Sequence, residues 1–148
     1  MGCKILIKEE KRSSPVSLHT LETIAALTFR LTEKEPRNIS LFVCNDETIR
    51  QLNKRYRGQN EPTDVLSFSM DEGMWQGITN DILGDIVIST DAARRQAEEI
   101  GESVEEEFCI LFTHGLLHLL GFDHKDEESS SIMEKITFQI ASEVKDRP

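Results

Sequence analysis

The sequence predicts an α/β (α+β) domain: a small, mixed, mostly parallel sheet covered by helices, with one central buried helix. Three observations predict it. Apolar periodicities of 2 and 3.6 alternate along the chain in the order β-α-β-α-β-β-α-α-α, the pattern of helices laid on a sheet. Ile39, Leu41 and Val43 alternate with Ser40, Phe42 and Cys44, so a strand there is apolar on both faces and calls for cover on both sides. Phe108 to Leu120 is apolar almost all round, which places a helix inside the domain rather than on its surface.

The elements follow in order. Residues 3–8 form a first strand. Ser17 caps a helix running to about Glu33, with Leu18, Leu21, Ile24, Ala25, Leu27 and Leu31 largely on one face, and Pro36 closes that region. After the strand at 39–44, Asn45 is the expected N-cap of a helix through Ile49, Leu52 and Tyr56, stopped by Gly58. Asp64–Phe68 reads as a short strand, 70–81 as an irregular loop, and Ile82–Ser89 as another strand. Thr90 is the expected cap of a helix ending at Gly101. Ser103 with Glu106 forms a capping box for a helix over about 104–120, and a last helix fills roughly 126–145. Neither a repeat nor a Gly-, Pro- or Ser-rich linker divides the 148 residues, so residues 1–148 are expected to form one domain.

Composition removes several function classes. The longest apolar run, Phe108–Phe112, falls far short of the roughly 20 residues a bilayer span requires. Residues 1–7 are followed at once by Lys8-Glu9-Glu10-Lys11-Arg12, which leaves no room for the apolar core of a signal peptide. Gly2 lacks the Ser or Thr four residues on that myristoylation needs, since position 6 is Leu. The reading is a cytoplasmic protein without a membrane partner. Three widely spaced cysteines, Cys3, Cys44 and Cys109, give neither a disulfide framework nor a CxxC metal site; Cys44 and Cys109 read as buried free thiols. Net charge is −10, from 27 acidic and 17 basic residues, so any nucleic-acid contact has to rest on a local basic site.

The informative segment is His114-Gly115-Leu116-Leu117-His118-Leu119-Leu120-Gly121-Phe122-Asp123-His124. Residues 114 and 118 are four apart, so both imidazoles leave one face of a helix, one turn apart. Gly121 stops the helix and turns the chain back, which lets His124 approach the same ion. Three protein ligands leave a position open to water, the pattern of catalytic rather than structural zinc. One zinc ion on His114, His118 and His124 is therefore expected. The alternative is a set of hydrogen-bonded core histidines; three of the chain's four His within eleven residues at ligand spacing weigh against it. His19, the fourth, is expected at the surface. The spacing H-x-x-x-H-x-x-G-x-x-H is that of metzincin proteases, where a Glu after the first His is the general base. Here that residue is Gly115, which disfavours a metallopeptidase.

This segment closely resembles the signature H-G-x-L-H-L-x-G-x-D-H of the YbeY family, metal-dependent endoribonucleases of ribosomal RNA maturation. Leu52-Asn53-Lys54-Arg55-Tyr56-Arg57-Gly58 with Pro62-Thr63-Asp64-Val65-Leu66-Ser67-Phe68, and Leu83-Gly84-Asp85-Ile86-Val87-Ile88-Ser89, are similar to two further elements of that family. The resemblance spans at least residues 40–125. It implies zinc at the three His positions, a cleft lined by the Arg57 element, and single-stranded RNA as substrate. It also implies processing at the 3′ end of small-subunit (16S) ribosomal RNA, with the small ribosomal subunit or its proteins as partners.

Zinc lowers the pKa of bound water to about 7 and polarises a phosphoryl oxygen. Phosphodiester cleavage then needs a cation on the non-bridging oxygens, and Arg is the best-shaped side chain for that. Arg57, with His114, is the candidate catalytic residue; on spacing alone Arg57 could equally be a solvated surface residue. Arg50, Lys54, Arg55 and Arg57 form a basic cluster able to hold a phosphate backbone, although Arg50 and Lys54 read more simply as a solvated helix face. Asp123 either hydrogen-bonds a ligating imidazole or caps a turn, and Asp85, if inward in its strand, could support a ligand or act as a base. Ser67 and Ser69 lack a nucleophile elbow. The rival to an endoribonuclease is a non-catalytic ribosome-assembly factor whose metal is structural, closed by Asp123 or Cys109 as a fourth ligand.

Overall fold

A computed structural model describes residues 3–10, 13–70, 82–123 and 125–145. Four strands, β1 (Ile5–Glu9), β2 (Asn38–Cys44), β3 (Val65–Ser69) and β4 (Ile82–Ser89), form one sheet in the order β1-β2-β4-β3. The β1/β2 and β2/β4 pairs are parallel and β3/β4 is antiparallel, so the mixed, mostly parallel sheet expected from the sequence is the one observed. Five helices complete the chain: α1 (Leu18–Thr32), α2 (Asp46–Arg57), α3 (Thr90–Ile100), α4 (Val104–Leu119) and α5 (Glu127–Lys145).

The sequence pattern explains the layering. β2 and β4 are the inner strands, and β2 is buried at every residue from Ile39 to Cys44. Alternation then sorts their side chains. Leu41, Val43, Ile86 and Ile88 join a large core with Leu21 and Ile24 of α1, Phe112 of α4 and Met133 of α5. Phe42, Cys44 and Val87 face the other way and pack with Phe68 and with Ile49 of α2. The apolar helix is the central one: Phe108, Leu111, Phe112, Leu116 and Leu117 of α4 are all buried. Removing either ring of α4 should cost about 3–5 kcal/mol.

Local signals set the helix ends. Ser17, Asn45 and Ser103 accept from the backbone N–H groups of Thr20, Thr48 and Glu106, each satisfying an otherwise orphaned donor. Gly58 and Gly101 end α2 and α3 in the left-handed conformation. One cap differs from expectation. Ser89, not Thr90, caps α3: its hydroxyl accepts from Ala92 N at 3.2 Å and donates to Asp46 Oδ1 at 2.8 Å. Strand and cap share a residue there, and Thr90 becomes the first helical residue, with its hydroxyl 3.3 Å from Cys44 O. The expected loop at 70–81 falls, from 71 onward, outside the described residues.

Candidate active site

The site is built where α4 crosses β3 and β4. Gly115 sits between the two histidines of α4, and a Cβ on it would come within 2.8 Å of Ile86 Cγ2 and 3.2 Å of both Ser67 Oγ and Val65 Cγ2. Gly84 of β4 is equally committed, since its Cβ would meet the Phe68 carbonyl and come within 2.7 Å of Leu119 Cδ2. Two missing side chains thus let the helix lie directly on the sheet. Gly115 was read from the sequence as the loss of a protease base; a Glu at this position would also have no room. The contact is fastened by Ser67, whose hydroxyl donates to Gly115 O at 2.8 Å. This bond accounts for Ser67 without any nucleophilic role.

Arg57 reaches the same place from the last residue of α2. Its Nη2 donates to Ser67 O at 2.7 Å, and its guanidinium lies 4.7 Å from the centroid of Phe68. Phe68 is buried and packs at 5.0 Å against Tyr56, so the arginine rests on a rigid aromatic floor. It is exposed yet anchored. Arg50 is engaged instead by Glu47, one turn earlier on α2, and by Asn60 beyond the helix. Arg55 covers the Tyr56 ring instead.

Arg57, Ser67 and Ser69 line a cavity of about 320 Å³ together with His118, Leu119, Gly121, Phe122 and Asp123. Arg57 and His118, 61 positions apart in the chain, therefore share one cleft. His114 is half-buried one turn earlier on α4 and lines a separate, larger groove. Past α4 the chain reverses: Gly121 N donates to His118 O and Phe122 N to Leu117 O, both at 3.0 Å, with Gly121 at φ 98°. Only glycine adopts that conformation freely. Asp123 accepts from Lys125 N at 2.8 Å and so caps the turn. His124, the third expected ligand, lies outside the described residues.

Two imidazoles one turn apart on a buried helix, followed by a glycine reversal, are a donor set that fits a divalent transition metal. Among the described residues no group of three or more His, Cys, Asp and Glu gathers as a metal site; these residues include two of the three expected ligands. Asp85 is 1% exposed. It lies two residues before Val87 in β4, on the α2 side of the sheet, away from α4. Burial pushes the Cys109 thiol up to about 11, with Glu105 and Glu106 adding to the shift, and pushes Cys44 up to about 12. Both remain protonated thiols near neutrality, as the apolar surroundings suggested. His19 is exposed.

No local pattern in the sequence connects Ser67 with Gly115 or Gly84 with Leu119. A signal was present in Gly115 itself, because glycine within a helix costs about 1 kcal/mol against alanine and marks a close approach.

Fold and site together define a small α/β domain in which a histidine-bearing helix meets an aromatic-backed arginine at a polar cleft. The Endoribonuclease YbeY family matches residues 6–145, and the chain belongs to that family. It is 48% identical over 114 residues to an endoribonuclease YbeY of Heliobacterium modesticaldum, covering 72% of this chain and 69% of the relative. The Aquifex aeolicus endoribonuclease YbeY is 44% identical over 124 residues, covering 82% and 78%. A solution structure of a Thermotoga maritima protein superposes with a TM-score of 0.62 at 25% identity, over 97% of this chain and 93% of that one. The family name describes a nuclease acting on RNA. Among the described residues no helix is long and apolar enough to cross a membrane.

Proposed function

We propose that the chain is a zinc-dependent endoribonuclease specific for single-stranded RNA. In this reading residues 1–148 form one cytoplasmic hydrolase domain that processes the 3′ end of 16S ribosomal RNA beside the small ribosomal subunit. The observation that carries the reading is the shared cleft: Arg57, fixed by Ser67 O and the Phe68 ring, opens on the cavity that His118 also lines. A phosphodiester under attack accumulates charge on its non-bridging oxygens, and a preorganised guanidinium stabilises that charge most where solvent is partly excluded.

His114, His118 and His124 would hold one zinc ion. When bound, it supplies a Lewis acid and a source of hydroxide near neutral pH. The chain's own groups do the rest. Arg57 binds and orients the phosphate by paired N–H donors. The Ser67 bridge keeps that arginine in register with α4, and the Gly115 contact holds His114 and His118 at a fixed height above the sheet. The acidic surface elsewhere confines RNA to this cleft.

The test is cleavage of an end-labelled single-stranded RNA by purified protein and by a His118→Ala variant prepared identically. Contaminating ribonucleases cut equally in both samples. Cleavage by the wild type that vanishes in the variant supports the proposal. Equal cleavage, or none by fully metallated wild type, overturns it in favour of a non-catalytic assembly factor.

A further inference from the structure

The larger groove has a different chemistry. It holds about 770 Å³ between the start of α1, the length of α4 and the second half of α5. Val16, Ile110, Ala141 and Val144 give it apolar walls, and Phe138 stands at its edge with 75% of its surface exposed. Among the described residues its charged lining, His114 aside, is four glutamates, Glu102, Glu105, Glu106 and Glu134, with no lysine or arginine. Among the described residues it shares no lining residue with the Arg57 cleft, although His114 on its wall lies one turn from His118 of that cleft. The negative field extends to the groove's wall, where Glu105 and Glu106 add to the burial that raises the Cys109 thiol.

An exposed phenylalanine beside a concave apolar wall marks a binding surface, and the glutamates restrict what can bind. RNA and anionic lipid would bring phosphates against four carboxylates. A second copy of the chain in two-fold pairing would set the same glutamates against themselves. We propose that this groove docks a cationic amphipathic protein segment. Its apolar side chains seat on the wall beside Phe138 and its lysines or arginines face the glutamate rim. Three helices framing a groove of this size suit a helical segment, read through anchors one turn apart. Charge then supplies orientation and on-rate while the apolar wall supplies residence time.

The probe is a fluorescently labelled Leu/Lys peptide of about five helical turns, with its leucines on one face. The control is a scrambled peptide of the same composition. Anisotropy titrations use the full chain, Phe138→Ser, the double variant Glu105→Lys/Glu134→Lys, and Arg57→Ala; thermal melts check that each is folded. Saturable one-to-one binding is expected, weakened roughly tenfold or more in the Phe138 variant, as for loss of an aromatic anchor. Similar loss is expected in the charge-reversed variant, and none in Arg57→Ala. Phe138→Ser is at an exposed position, so it reads out even if the double variant unfolds. Equal binding of the scrambled peptide, unchanged affinity in Phe138→Ser, or a wild-type dimer that Phe138→Ser dissociates would overturn the proposal.

Discussion

Two concavities among the described residues differ in size and in chemistry. The larger, about 770 Å³, is apolar and ringed by glutamates; the smaller, about 320 Å³, gathers Arg57, His118 and Asp123. Volume alone would direct attention to the first. Convergence of polar groups of complementary chemistry directs it to the second, because catalysis depends on preorganised charge rather than on space. α4 contributes to both, and its packing on β3 and β4 keeps them apart. In a protein of net charge −10, the small cleft presents an anchored arginine while glutamates line the large groove.

The sharpest way to break this contrast is at Arg57. Arg57→Ala should lower the rate constant for RNA cleavage about 10²- to 10³-fold, the effect of losing one transition-state donor. Arg57→Lys should restore only part of it, since an ammonium lacks the paired planar donors. Single-turnover kinetics on labelled RNA measure both. A rate unchanged in Arg57→Ala would remove the cleft's claim to the chemistry.

Next is the contact that holds α4 on the sheet. Gly115→Ala should destabilise the protein by about 1–2 kcal/mol net, the overpacking against Ile86 outweighing alanine's better helix propensity. Urea denaturation reads this as a lower midpoint. A stabilised variant would show that the helix is free to move and that the close approach fixes nothing. Ser67→Ala should cost about 1 kcal/mol, the worth of one hydrogen bond, and should lower cleavage more than stability if the serine keeps α4 in register with Arg57. Comparing the two losses sharpens the role of the bridge.

The smallest effect concerns the carboxylates of α4. Glu107 is buried, and its pKa is raised above the ordinary 4.5 by burial first, then by Glu102 and Asp64. The folded state therefore favours its neutral form. The stability it contributes is fully present below 4.5 and is lost as pH rises through the raised native value. Glu107→Gln should accordingly raise the melting temperature at pH 7, and the gain should disappear as the pH falls below the ordinary glutamate range. Melting curves across pH decide it; a variant less stable than wild type at pH 7 would contradict the sign.

Much of the fold was legible because its signals are local. Ser17, Asn45 and Ser103 cap helices through bonds three residues long, and the two-sided apolar run at 39–44 could only be an inner strand. Ser89 was missed as a cap by one residue because a distant partner, Asp46, fixes its hydroxyl. At the site, spacing and resemblance single out His114, His118 and Arg57, and the fold places Arg57 and His118 on one cleft. The Ser67–Gly115 bond, between residues 48 apart, was not, because only the tertiary fold brings them together. The glutamate-rimmed groove was hidden for the same reason: its walls come from three segments, and no periodicity in any one of them announces a shared surface.

On the proposed function, the Arg57 cleft carries the chemistry and the Phe138 end of the large groove does not. The most direct measurement is the cleavage rate of end-labelled single-stranded RNA by Arg57→Ala and Phe138→Ser in parallel with the wild type, all at equal zinc content. A rate about 10²-fold or more below wild type is expected in the first and a wild-type rate in the second. Loss of cleavage in Phe138→Ser with Arg57→Ala unaffected would contradict it.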